Sequence, residues 1–305
     1  MRDLIAFGEP MVEFARLEDP DRPLFLQGFG GDTSNVAVAA ARQEASVGML
    51  ARVGEDGFAG AFEALWRREG IDTALVQRDA HAPTGAYFID YDEAGHHFTY
   101  LRSTSAATRM RPDLLPYDAL AGARILHLSG ITQAISTGSC DATFAAIDHA
   151  RQHGTQVAYD LNLRLKLWPL PRARAIIRAT IPRVDHCLPS ADDAYQVLGV
   201  DDPDAAADAL LALGAGTVVL KLGAEGALVA TPSRRERVPG HPVTPVDATA
   251  AGDTFDGAFL AEILRGADAF DATRWGVVAA ALSTLGHGAV APMPTRQAVR
   301  EAMGA

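Results

Sequence analysis

Val246-Asp247-Ala248-Thr249-Ala250-Ala251-Gly252-Asp253-Thr254-Phe255-Asp256-Gly257 is the stretch of this 305-residue chain with the clearest chemical content. Small residues lead into an amphipathic run that continues through Leu260, Ile263 and Leu264. A helix opening there leaves the backbone N–H groups of residues 250 to 253 without helical partners, and the helix dipole adds its positive end. Such an end holds an anion without any lysine. Asp253 stands at the same place, where a carboxylate beside a bound phosphate costs Coulomb energy. It is either a first-turn acidic residue favoured by the dipole or the base of a reaction. Far upstream, Gly28-Phe29-Gly30-Gly31-Asp32-Thr33-Ser34-Asn35 offers glycines that let backbone approach a ligand, while Asp32 and Asn35 suit hydroxyl groups. Together the two segments supply an anion site, a base and partners for a polyol.

Other chemistries are missing. Neither lysine, Lys166 or Lys221, lies in a G-x-x-x-x-G-K-[ST] loop, and no G-x-G-x-x-G follows the first apolar run. This excludes a Walker NTPase and a Rossmann dehydrogenase. The 27 basic against 38 acidic residues give a net charge of −11 with no segregated basic face, which disfavours nucleic acid and anionic membranes. Cys140 and Cys187 lie far apart without a CxxC or a His/Cys cluster, and the histidines, His96 and His97 included, suggest no metal cluster. A reduced, cytoplasmic setting is expected, with neither a signal peptide nor an 18-residue apolar span.

The elements that must position these residues follow from periodicity. Leu4–Phe7 is a short buried strand. Aromatic, alternating stretches at 11–17 with 23–27 and at 85–101 predict an antiparallel flap. Between them, Asp32 or Thr33 caps a helix over 34–42, with a strand at 46–53 and a helix at 57–69. From residue 123 onward strands and helices alternate, which predicts parallel pairing with helices on both faces. Strands fall at 125–128, 155–159, 185–188 and 217–221, and an antiparallel one at 226–231. Helices fall at 143–152, 172–178, 191–198 and 204–213, with three more at 252–264, 273–285 and 295–302. The reading is one α/β domain over 1–305.

The two glycine-rich segments, at their wide separation, match both signatures of the ribokinase-like (PfkB) carbohydrate kinases, which the chain resembles over essentially its whole length. Within that family, Gly31 to Asn35, Tyr87, the run from Tyr100 to Ala107, and Asp160-Leu161-Asn162-Leu163-Arg164 ending in Leu167-Trp168 are similar to the 2-keto-3-deoxygluconate kinases. The resemblance implies a ribokinase-like fold, a central mostly parallel sheet flanked by helices, with a small β lid formed by about 11–29 and 83–101. It implies transfer of the γ-phosphoryl group of ATP, with Mg²⁺, to the 6-hydroxyl of 2-keto-3-deoxygluconate. Asp253 would take the hydroxyl proton, and the N–H groups of Ala250, Ala251 and Gly252 would stabilise the transferring oxygens. Because the transition state is loose, Asp253 needs no raised pKa.

The same resemblance assigns the sugar to Gly31, Asp32, Asn35, Tyr87, Tyr100, Arg102, Arg164 and Asp253. Arg102 and Arg164 would be the carboxylate and keto-end clamps. Tyr100 is equally a lid-core aromatic. ATP would lie along Lys221 to Gly226, touching Gly223, with Ser190 nearby and adenine against the helix carrying Ala279 to Ser283. Lys221 either reaches a phosphate or snorkels from a strand end. The usual G-A-G-D reads Ala250-Ala251-Gly252-Asp253. The family's N-x-x-E reads Ser190-Ala191-Asp192-Asp193, which leaves Asp193 as an indirect Mg²⁺ partner. K⁺ would sit near carbonyls of Asp247, Thr249 and the turn at 285–289, and a homodimer would form through the lid. Fructokinase and then ribokinase are the alternatives within the family. Outside it stand a Schiff-base keto-acid aldolase using Lys166 or Lys221 and a non-catalytic sugar sensor, against which Asp253 argues.

Overall fold

The Leu-Ile-Ala-Phe run at residues 4–7 has almost no exposed surface, as expected for a strand covered on both faces. In the computed structural model, which describes residues 2–17, 22, 24–92 and 95–304, it lies inside a nine-stranded sheet. In chain order the elements are β1 (Leu4–Phe7), β2 (Met11–Arg16), β3 (Phe25–Gly30), α1 (Asp32–Arg42), β4 (Val47–Gly54), α2 (Gly57–Arg68), β5 (Val76–Asp79), β6 (Gly85–Asp92) and β7 (Gly95–Leu101). There follow α3 (Tyr117–Ala121), β8 (Ile125–Ser129), α4 (Gly130–Ala134), α5 (Thr137–Gln152), β9 (Gln156–Asp160), α6 (Leu170–Thr180), β10 (His186–Cys187), α7 (Ala191–Leu198) and α8 (Pro203–Ala212). The chain closes with β11 (Thr217–Lys221), β12 (Gly226–Ala230), β13 (Arg235–Pro239), α9 (Ala251–Arg265), α10 (Ala269–Ser283) and α11 (Arg296–Met303).

The large sheet has the order β13-β12-β11-β10-β9-β8-β1-β4-β5, parallel from β5 to β11 and antiparallel at its other edge. Strand side chains alternate between two cores. Ile125 joins Val36, Phe62, Trp66, Phe255 and Phe259 under α1, α2 and α9, whereas Leu126 and Leu128 join Ile147, Ile177, Val197 and Leu210 under α5 to α8. Each such large apolar side chain contributes about 1.5–3 kcal/mol by burial. At Gly257 α9 crosses α1 so closely that a β-carbon would lie 2.6 Å from both Ala39 Cβ and the Val36 carbonyl. That crossing brings the starts of the two helices together.

Four expectations need correction. The small sheet, β3-β2-β6-β7, is not wholly antiparallel, because β2 and β6 run parallel in register Met11↔Gly85 to Ala15↔Ile89. Alternation reports which face a residue takes but not strand direction. Strand β3 extends to Gly30, so Gly28-Phe29-Gly30 is paired with β2 rather than forming a loop; the expected start at Pro23 lies outside the described residues. Helix α1 opens after Gly31 with no side-chain cap, and Asp32 and Thr33 are its first residues. Gly31 has φ 96, and a β-carbon there would meet the Glu9 carbonyl at 2.3 Å, so only glycine makes this turn. Strands β5 and β13 were not anticipated.

Helix α9 opens unusually. Its N-cap, Ala250, takes the left-handed conformation (φ 59, ψ 17) with no side-chain cap, a region that costs an L-residue roughly 1–2 kcal/mol. Ala250→Gly should therefore raise thermal stability by about 1 kcal/mol, less glycine's unfolded-state entropy, and leave the fold unchanged. A lowered Tm in calorimetry would mean that the alanine methyl packs in a way that outweighs the strain.

Candidate active site

The C-terminal ends of the parallel strands β1, β8, β9 and β11 converge where α1 and α9 begin, the edge at which open α/β sheets bind ligands. Thr254 N–H donates to the Ala250 carbonyl and starts the helical ladder. Before it, the N–H groups of Ala250, Gly252 and Asp253 have no acceptor among the described residues, whereas that of Ala251 turns back to the Ala248 carbonyl at 3.2 Å. The expected cradle of Ala250, Ala251 and Gly252 is thus shifted. Asp253 replaces Ala251 in the set of open donors.

Asp253 Oδ2 accepts a 2.8 Å hydrogen bond from Asn35 Nδ2 across the α1–α9 contact. Asn35 Oδ1 is buried without a partner among the described residues. Asp253 keeps some surface on the cavity, but protein encloses its other sides. That burial, aided by the nearby Asp32 charge, pushes its carboxyl up to about 7. The loose-transition-state argument had not required a shift of this kind. Asp32 accepts from Ser129 Oγ and, at 3.2 Å, from Asn162 Nδ2; burial raises its carboxyl as well. Neither bond caps the helix.

Two cavities meet at the α9 N-terminus. The larger, about 800 Å³, is lined by Asp160, Asn162, Arg164, Ser190, Asp193, Lys221, Gly223 and Ala250 to Asp253. The smaller, about 510 Å³, is mainly apolar: His241, Pro242, Val243 and Pro245 face Phe255, Val277, Ala280, Ala281 and Thr284, with Ala224 and Gly226 at its edge. Lys221, Gly223, Ala248, Ala251 and Gly252 belong to both. The expected adenine wall on α10 is therefore present as a cavity wall. Ser190 Oγ caps α7 by accepting from Asp193 N–H at 3.2 Å. Burial pushes the Asp193 carboxyl up.

Of the expected sugar residues, Arg164 and Asp253 line the larger of these two cavities. Gly31, Asp32 and Asn35 lie behind the wall and are tied to it by the Asn35–Asp253 and Asn162–Asp32 bonds. Tyr87 and Tyr100 pair across β6 and β7 with ring centroids 5.8 Å apart, and the Tyr87 hydroxyl donates to Glu13. Arg102 is buried, and its guanidinium is given to Glu9, with Nε 2.9 Å from Oε2; Ser105 Oγ donates to the other Glu9 oxygen. Its charge is already compensated, while Arg164 is exposed and bonds only the Leu163 carbonyl. Glu9 was not among the expected site residues, although an acidic residue two positions past a fully buried strand was a usable signal.

Lys221 does not snorkel into solvent from its strand end, and it lines both cavities. Its ammonium lies 3.0 Å from Asp160 Oδ2 and 2.9 Å from Asp256 Oδ1. Burial opposes the charge, but the two carboxylates outweigh it and hold the ammonium above its ordinary range. Burial also pushes the Asp256 carboxyl up. Of these opposed tendencies the protonated lysine prevails, since two carboxylates compensate it. An ammonium held above its ordinary range by two carboxylates is a poor nucleophile toward a carbonyl, which argues against a Schiff-base role for Lys221.

Asp247 accepts from Thr249 N and Oγ1 through Oδ1 and from Gly288 N through Oδ2, and so staples the loop before α9 to the turn after α10. Thr249 thus acts as a donor there. These three bonds engage both oxygens of the carboxylate. Among the described residues no group of three or more His, Cys, Asp or Glu side chains could hold a metal. A divalent ion carried in on phosphate oxygens and water would meet carboxylates on the wall of the larger cavity, Asp193 among them. Among the described residues no helix is long and apolar enough to cross a membrane.

Residues 1–296 match the model of the pfkB family carbohydrate kinases. The chain is similar to the 2-dehydro-3-deoxygluconokinase of Thermoproteus tenax, with 34% identity over 290 residues that cover 92% of this chain and 88% of that one. Its fold matches a PfkB protein from Polaromonas sp. JS666 (31% identity, 98% and 99% coverage, TM-score 0.89). It also matches a fructokinase from Vibrio cholerae O395 solved with fructose, ADP and calcium ion (29% identity, 99% and 98% coverage, TM-score 0.89). The architecture is ribokinase-like. With that family model spanning nearly the whole sequence and the two glycine-rich segments joined by the Asn35–Asp253 bond, the chain belongs to the pfkB family of carbohydrate kinases.

Proposed function

We propose that this kinase transfers the γ-phosphoryl group of MgATP to the terminal 6-hydroxyl of 2-keto-3-deoxygluconate. The observation that carries the reading is the α9 N-terminus, where open N–H donors and the Asp253 carboxylate stand together at the junction of two cavities. The apolar cavity suits adenine, and the shared wall at Gly223, Ala251 and Gly252 suits the phosphates. Mg²⁺ arrives as part of the nucleotide substrate and neutralises phosphate charge. A K⁺ ion held by main-chain oxygens around Asp247 and Thr249 would shape the same loop.

In this mechanism Asp253 takes the proton from the sugar hydroxyl as its oxygen bonds to phosphorus, and the N–H groups of Ala250, Gly252 and Asp253 hold the transferring oxygens. Asn35 orients the base, and its free Oδ1 accepts from a sugar hydroxyl. Arg164, exposed at the cavity wall, binds the substrate carboxylate. Arg102 acts with Glu9 as a neutral pair that shapes the pocket. The small sheet serves as the lid, and its exposed Leu26, Phe98 and Leu101 support a homodimer formed through it. Fructokinase is the second reading, favoured by the Glu9–Arg102 pair, which leaves one uncompensated arginine at the site. A coupled ADP-release screen over 2-keto-3-deoxygluconate, its galactonate epimer, fructose and ribose separates the two.

Each of these roles has a measurable consequence. Asp253→Asn should lower kcat by about 10²–10⁴-fold while nucleotide affinity stays within about threefold. Because the base must be ionised, kcat/KM should rise with pH, level above about 7 and lose this limb in the variant; normal turnover would discard Asp253 as base. Arg164→Ala should cost the acid sugar about 10–100-fold in kcat/KM and leave fructose nearly untouched. Arg102→Ala strands Glu9 in the interior and should weaken both; equal losses for Arg164→Ala would shift the assignment to a neutral sugar. Sedimentation should give a two-chain species, and Leu101→Asp a monomer, whereas a monomeric wild type would remove the lid contact.

A further inference from the structure

Lys221, Asp160 and Asp256 form a buried unit that the phosphoryl-transfer scheme does not use. It joins three elements: Asp160 ends β9, Lys221 ends β11, and Asp256 lies on α9. Asp256 follows Asp253 by three positions and so shares its side of the helix. The ammonium sits directly beneath the anion cradle, 3.6 Å from where a β-carbon on Gly252 would stand. The Asp256 side chain has no exposure, and those of Asp160 and Lys221 have about a tenth. Two of the three ammonium protons are engaged by these carboxylates. Two carboxylates and one ammonium leave the unit with a single net negative charge, one helical turn from the base.

We propose that Lys221 is a positioning residue: through Asp256 and Asp160 it pins the start of α9 to the sheet and sets the charge felt by Asp253, rather than serving as a phosphate ligand. The inference rests on the phosphoryl-transfer reading and deepens it. Asp253 is faced by Asp32 and Asn35 from α1, Asp160 from β9, Lys221 from β11, Tyr87 from the small sheet and Asp256 from its own helix. Among these, Lys221 is the one cation. Adding negative charge near a carboxylate favours its protonated form, and removing negative charge does the reverse. Neutralising either partner of the Lys221–Asp256 pair should therefore move the base in opposite directions.

The test is the pH profile of kcat/KM, with nucleotide affinity measured separately by titration, for Lys221→Met, Lys221→Arg, Asp256→Asn and the double variant Lys221→Met with Asp256→Asn. Lys221→Met should move the acid limb up by about one pH unit and Asp256→Asn should move it down by a similar amount. The double variant, which restores the net charge, and Lys221→Arg should both lie near the wild type, with nucleotide affinity within about threefold throughout. If Lys221→Met does not fold, Asp256→Asn and the double variant carry the same comparison. Nucleotide affinity more than about tenfold weaker in Lys221→Met, with the limb unmoved, would make the lysine a phosphate ligand and overturn the proposal. An unmoved limb in Asp256→Asn would also overturn it, because Asp256 would then carry a proton in the native enzyme. Either result leaves the kinase reading intact; that reading fails separately if Asp253→Asn retains normal turnover.

Discussion

Everything at this site depends on the few main-chain N–H groups that α9 leaves open at its first turn. A helix start is ordinarily capped by a side chain, but α9 has no such cap. Its preceding residue, Ala250, is instead turned into the left-handed region, so Ala250, Gly252 and Asp253 present donors to the cavity. The loop before them is held by Asp247, whose carboxylate reaches both Thr249 and Gly288. Anion recognition here comes from backbone geometry and the helix dipole, and the sequence needs no lysine at the cradle for it.

Such a cradle sits in a strongly acidic interior. Glu9, Asp32, Asp160, Asp253 and Asp256 are all withdrawn from bulk solvent in the region where a polyanion must bind, and two cations, Arg102 and Lys221, are buried against them. Each cation is tied to a carboxylate at hydrogen-bond distance. Breaking one such pair exposes the partner as an uncompensated buried charge, which is far more damaging than the pair's net worth. The arrangement therefore fixes positions more than it adds stability. It raises the Asp253 carboxyl to about 7, which suits the proton exchange with an alcohol proposed for it.

Much of this could be read from residue types. The two glycine-rich segments, the missing Walker lysine, the alternating strands and helices after residue 123 and the apolar wall on α10 all reflect local composition, and the fold honours them. What escaped the sequence depends on direction or on long-range pairing. The parallel β2–β6 pairing carries no local signal, since side chains alternate identically in either sense. Asp32 looked like a helix cap because short polar residues favour that position, but Ser129 and Asn162, distant in sequence, claim its carboxylate. Arg102 and Lys221 were recognised as important cations, yet their partners Glu9, Asp160 and Asp256 come from other strands and helices. A charge can be seen in a sequence; its compensation cannot.

The most direct test of the account is a crystal structure of the enzyme with Mg²⁺, ADP, a planar phosphoryl mimic such as aluminium fluoride, and a bound sugar acid. The account predicts adenine in the apolar cavity beside α10, the mimic within hydrogen-bond distance of the N–H groups of Ala250, Gly252 and Asp253, and the Asp253 carboxylate on the acceptor hydroxyl. A mimic held by side chains elsewhere in the cleft, with the α9 amides facing only water, would contradict it.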